Sequence, residues 1–196
     1  MNDHPEILII AGPNGAGKST SARAIVRDKL HIGEFVNADV IAQGLAAFDV
    51  NSVALEAGRI MLNRLRDLAN QRKSFAFETT LAARSYASWI EDLRSTGYQF
   101  HLIYLWLAAP EIAVQRVADR VRMGGHDIPE VVIRRRYQLG LKNFFKLYQP
   151  ISDSWQVLDN SDLQQQHVIA AGCGSEVRRI GKTETWNRIV EDYGND

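Results

Sequence analysis

Residues Gly12, Pro13, Asn14, Gly15, Ala16, Gly17, Lys18 and Ser19 spell the pattern G-x-x-x-x-G-K-[ST]. The chemistry it serves is phosphate binding. Glycines let the backbone turn its N–H groups inward around an anion. A helix starting near Lys18 points its positive dipole end at the same anion. Lys18 would reach the β- and γ-phosphates of a nucleoside triphosphate, and the Ser19 hydroxyl would ligate Mg²⁺. Together with Thr20 these residues form an expected ATP-binding stretch, 12–20. At ordinary residue usage such a pattern arises by chance in under about one per cent of chains this long.

Other residues could act beside it. Asp39 follows a short apolar run, where a carboxylate could accept the proton of an attacking hydroxyl. The same residue could N-cap a helix starting at Val40, and the two readings are compatible. Glu78 closes the run Phe75-Ala76-Phe77-Glu78, the position from which an acid holds a Mg²⁺ shell. A strand end with Thr79 or Thr80 bonding local backbone is the alternative. Residues 110–149 carry eight Lys/Arg against four acids, a local +4 in a chain of formal net charge zero. Arg116 and Arg120 are i,i+4 neighbours on one helix face. A lid of such arginines would neutralise a transferring phosphoryl group, although a solvated face is the commoner fate of arginines. Arg134, Arg135 and Arg136 point three ways on a helix, so at most one or two of them reach a site. Asp159, Asn160 and Ser161 end an apolar run, where a loop touches an adenine base or is a plain turn.

These residues need a scaffold. Strands are expected at 7–11, 35–37, 74–79, 99–107 and 154–159, with a sixth near 167–171. Helices are expected at 18–28, 40–46, 52–72, 85–96, 110–123, 129–148 and 182–192. The alternation predicts an α/β fold: a doubly wound parallel sheet with helices on both faces. The run 102–107 is apolar on both faces, as a central parallel strand is. Pro110 and Pro129 open helices, and 124–128 is a Gly-Gly connection between them. Ile133, Tyr137, Leu141, Phe144 and Tyr148 recur at helical spacing and read as core. Open sheets of this kind bind ligands at the carboxyl ends of their strands, where all the candidates above fall.

The 196 residues suffice for one domain, 1–196, with a lid-like segment about 116–136. Neutral total charge argues against nucleic acid as a partner. The longest apolar run, 102–109, is too short to span a bilayer, and the polar start is unlike a signal peptide. A single cysteine, Cys173, permits no internal disulfide and reads as packing. The expected location is the cytoplasm. Five histidines lack metal-ligand spacing.

The phosphate loop 11–20, then Val36-Asn37-Ala38-Asp39, Phe77-Glu78-Thr79-Thr80 and the segment 120–129 with its Gly-Gly-His core, resemble the zeta-toxin family of small kinases over roughly residues 5–161. The resemblance implies an adenylate-kinase-like P-loop core, dependence on ATP and Mg²⁺, and phosphorylation of a hydroxyl on UDP-N-acetylglucosamine. It implies Asp39 as general base, Thr80 as a sugar-nucleotide contact, and Arg120, with Arg116 close by, as lid charge. Family members carry an Arg two residues beyond the Thr. Here that position is Ala82, and Arg84 is the nearest substitute; a second lid Arg falls near His126. Toxicity and an antitoxin partner are associations of the family.

The reading is an ATP-dependent kinase of a small-molecule hydroxyl. Lys18, Asp39, Arg116 and Arg120 are catalytic, Ser19 is on Mg²⁺, and Glu78, Thr80, Arg84 and His126 are on the acceptor side. The alternatives are a kinase of another small molecule and a nucleotide-dependent binding module.

Overall fold

A computed structural model describes residues 4–29, 32–46, 52–162 and 165–194. Seven strands form one sheet in the order β2-β3-β1-β4-β5-β6-β7. They are β1 (Glu6–Ala11), β2 (Phe35–Val36), β3 (Phe75–Thr79), β4 (Gln99–Trp106), β5 (Ser154–Asp159), β6 (His167–Cys173) and β7 (Glu176–Ile180). Strand β1 sits between β3 and β4, both parallel to it. Ile7, Leu8, Ile9 and Ile10 are all 0% exposed. Consecutive residues of a strand face opposite sides, so both faces of β1 are covered. That explains its unbroken apolar run.

The helices are α1 (Lys18–Lys29), α2 (Ala38–Leu45), α3 (Ala54–Asn70), α4 (Ser85–Ser95), α5 (Pro110–Arg122), α6 (Glu130–Asn143) and α7 (Thr183–Tyr193). Pro110 holds the first position of α5, where its missing N–H costs nothing. Helix α6 runs into a π-helical turn, Phe144–Tyr148, where Gln149 N–H donates to the Phe144 carbonyl at 2.8 Å. The expected single helix over 129–148 therefore widens at its end. Its apolar stripe, Ile133, Tyr137, Leu141, Phe144 and Tyr148, is buried.

Helix α6 lies across the carboxyl ends of β3 and β4. Tyr137 donates to the Leu107 carbonyl at 2.6 Å, Asn143 Nδ2 to the Leu81 carbonyl at 2.6 Å, and Tyr148 to the Ala83 carbonyl at 2.6 Å. Gly140 faces the Thr80 carbonyl so closely that a side chain there would strike it.

The parallel sheet has an antiparallel edge. Strand β6 pairs antiparallel with β5, and β7 with β6. The connection from β5 to β6, residues 160–166, is too short for the crossover that parallel pairing needs. Strand β7 has no counterpart in the sequence expectation. All five of its residues are exposed, so no buried face produces an apolar alternation. A tight turn with Gly174 at φ +51° joins it to β6.

Candidate nucleotide-binding cleft

The loop 12–17 leaves β1 and enters α1 at the carboxyl edge of the sheet. Gly12, at φ +140°, lies against the Leu105 carbonyl of β4, and a side chain there would collide with it. Lys18 Nζ donates to the carbonyls of Gly12 and Pro13, both at 2.9 Å. Burial pushes the Lys18 ammonium down to about 8; Glu78 and Asp39 oppose the shift, and Arg136 and Arg120 add to it. Charged side chains from four elements thus act on one half-buried cation.

Ser19, in the first turn of α1, donates its hydroxyl to Glu78 Oε2 at 3.0 Å. Asn37 Nδ2 approaches the same hydroxyl at 3.4 Å. The other oxygen, Glu78 Oε1, is buried and lacks a partner among the described residues. Burial raises the Glu78 carboxyl above the usual carboxylate range; Lys18 and the Ser19 bond pull the other way. A buried carboxylate oxygen with nothing to accept from is costly. The site therefore suits a cation or its hydration shell beside Ser19. Among the described residues no group of three or more His, Cys, Asp and Glu forms a ready-made metal cage.

Asp39 is exposed on the first turn of α2. It is not the N-cap. Asn37 is, accepting from Asp39 N–H at 2.8 Å and Val40 N–H at 3.4 Å. Its carboxylate is therefore not committed to capping. Asp39 lines a cleft of about 530 Å³ together with Asn14, Lys18, Ser19, Glu78 and Arg120.

The arginines divide. Arg116 also lines the cleft, but its guanidinium is engaged with backbone: the Asn160 carbonyl at 2.9 Å, the Ser161 carbonyl at 2.6 Å and the Gly15 carbonyl at 3.4 Å. Arg120 donates to the His126 carbonyl at 2.7 Å, and its buried Nε lacks a partner among the described residues. Gly125 packs against the Arg120 side chain, where a Cβ would not fit. Arg136, which sequence reasoning did not single out, donates to the Asn14 side chain at 3.3 Å. Burial lowers its pKa, and Asp39 opposes that. Arg134 turns outward to Glu111 and Glu130. The signal was present: Arg136 lies three residues after Ile133 and four before Gly140, both of which face inward.

Three acceptor-side candidates lie outside the cleft lining. Thr80 is half-buried, with its carbonyl against Gly140. His126 offers its carbonyl to Arg120. Arg84 is exposed at the start of α4 and lines a separate pocket of about 450 Å³ with Lys142, Lys146 and Tyr193. Among the described residues no helix is long and apolar enough to cross a membrane.

The family model described as "AAA domain" matches residues 7–139. An uncharacterized protein of Haemophilus influenzae is 29% identical over 130 residues, covering 66% of this chain and 91% of that protein. The crystal structure of AvrRxo1-ORF1:AvrRxo1-ORF2 with sulphate ions superposes with a TM-score of 0.76 at 18% identity, over 96% of this chain and 64% of that one. The same complex with ATP gives 0.74 at 16%, over 96% and 64%. The chain thus spans under two thirds of that relative. A structure from the PezAT chromosomal toxin-antitoxin system of Streptococcus pneumoniae gives 0.66 at 12%, over 97% and 86%. At these identities the likeness is one of fold.

Proposed function

Because the chain belongs to the AAA domain family, we propose that it is an ATP-dependent kinase transferring a phosphoryl group to the hydroxyl of a small molecule. UDP-N-acetylglucosamine is the acceptor to try first. The observation that carries the reading is the presence of Asp39 in the same cleft as Lys18, Ser19, Glu78 and Arg120. A nucleotide switch needs the phosphate loop but no uncommitted carboxylate facing it.

In this reading residues 12–20 cradle the phosphates. Lys18 exchanges its bonds to the Gly12 and Pro13 carbonyls for phosphate oxygens, and an anion there further favours its charged form. Ser19 and the unpartnered oxygen of Glu78 fit Mg²⁺, which offsets phosphate charge when bound. Asp39 takes the proton of the acceptor hydroxyl. Arg120 and Arg136 stabilise charge on the transferring group. Arg116 would reach it only by releasing three carbonyls, so its first role is to brace the loop. The segment 116–136 closes as a lid on one kinase domain, 1–196. Thr80 and His126 border the acceptor, and Arg84 serves it where the acceptor extends into the neighbouring pocket. An antitoxin-type protein partner is part of the reading, supported by the AvrRxo1-ORF1:AvrRxo1-ORF2 pair and the PezAT toxin-antitoxin system.

Phosphorus NMR of mixtures with ATP, Mg²⁺ and a panel of nucleotide sugars and sugars tests it. A new phosphomonoester signal appearing with ADP is the expected result. ATP binding without any such product across the panel would favour the binding module.

A further inference from the structure

Asn160 follows the last residue of β5 and is 7% exposed. Its N–H donates to the Trp106 carbonyl at 2.9 Å, which anchors it to the end of β4. Its side chain does not line the cleft. Asn160 Nδ2 donates instead to the Ala16 carbonyl at 2.6 Å. The approach depends on Gly17, because a Cβ there would stand 2.8 Å from Asn160 Nδ2. Gly17 itself is at φ +80° and lines the cleft. Arg116 holds the same segment from the other end through the Asn160 and Ser161 carbonyls.

In a trans peptide the C=O and the following N–H point in opposite directions. Drawing the Ala16 oxygen toward Asn160 therefore aims the Gly17 N–H away from Asn160. An anion-binding loop works only with its N–H groups so aimed. Left alone, a glycine peptide rotates freely, and the orientation costs entropy at each binding event. Gln166 donates to Asn160 Oδ1 at 3.3 Å and to Ser21 at 3.5 Å, but it is exposed and is a minor support.

We propose that Asn160 is a positioning residue for phosphate: it locks the Ala16–Gly17 peptide in the anion-binding orientation and does not read the nucleobase. The inference rests on the nucleotide-binding part of the proposed function and not on phosphoryl transfer. It also accounts for an asparagine, whose amide donates, beyond a strand end where a turn residue alone would serve.

The test is calorimetric, with four ligands: ATP, GTP, tripolyphosphate and adenosine. Asn160→Ala should weaken ATP, GTP and tripolyphosphate by one common factor, about tenfold for a lost bond to a preorganised site. Adenosine affinity should stay unchanged. Asn160→Asp, which keeps the volume but offers no donor at neutral pH, should weaken the three anions further and again spare adenosine. Gln166→Ala should change little. A changed ATP-to-GTP ratio would mean that Asn160 contacts the base. Equal loss for adenosine, no loss for tripolyphosphate, or failure of both Asn160 variants to fold would each overturn the proposal. Because only binding is read, a protein that binds all three anions but transfers no phosphate fails the kinase reading while leaving this one standing.

Discussion

Ser19 donates to one oxygen of Glu78 at 3.0 Å, and the other oxygen of that carboxylate is buried without a partner among the described residues. The pair joins the first turn of α1 to the end of β3. Burial disfavours the Glu78 charge, while the Ser19 bond and the Lys18 ammonium favour it.

Glu78→Gln should therefore stabilise the ligand-free protein, by about 1 kcal/mol, because it removes a half-buried charge. The sign follows from the raised Glu78 pKa: the native state prefers the neutral carboxyl, so ionisation at neutral pH costs stability. The same variant should lose Mg²⁺-dependent nucleotide binding. Thermal unfolding with and without MgATP reads both effects, and a lower melting temperature without ligand would contradict the account.

Lys18→Ala should weaken ATP by about ten- to a hundredfold, the value of bonds to a charged group, and leave the fold intact. In the wild type, ATP affinity should fall as pH rises through about 8, where Lys18 loses its proton. Between about 8 and 10.5 the unfolded chain holds a proton that the native one has shed, so ligand-free stability rises with pH across that window. Calorimetry at pH 8 in buffers of different ionisation enthalpy should show proton uptake on ATP binding. Absence of uptake in the wild type would count against a lowered Lys18 pKa.

Asp39→Asn should bind ATP like the wild type and lose transfer by roughly 10²–10⁴-fold. Stability should hardly change, because Asn37 is the cap. Asn37→Ala should cost about 1 kcal/mol. A normal transfer rate in Asp39→Asn would place the base elsewhere.

Arg136→Ala should lower transfer by roughly 10²–10³-fold. Arg134→Ala, two residues away but paired outward with Glu111 and Glu130, should shift stability by under about 1 kcal/mol and leave transfer alone. Equal kinetic effects of the two variants would refute the role proposed for Arg136 in stabilising the transferring group.

The proposed lid implies a local change in dynamics. Gly124, at φ +85°, and Gly125 connect two arginine-bearing helices. Amide exchange at 122–128 should be fast in the free protein and slow with a non-hydrolysable ATP analogue. Exchange that ignores the analogue would rule out closure.

Local chemistry was enough to read much of this protein from its sequence. The phosphate loop is legible because its function depends on backbone conformation, which contiguous glycines and their neighbours set. Strands β1 to β6 and every described helix are legible because each carries an apolar pattern that burial requires. What required the tertiary structure is whatever depends on residues far apart in the chain. Strand β7 buries no face and exists only as a partner for β6. Asn37 took the cap that a local reading left open to Asp39. Arg116 and Arg120, neighbours on one helix face, diverge because Asn160 and Ser161, about 40 residues on in the chain, supply carbonyls to one and the Gly125 turn wraps the other. Arg136 reaches Asn14 across 122 positions. Spacing within a segment decides which face a side chain takes, and only packing decides what that face meets.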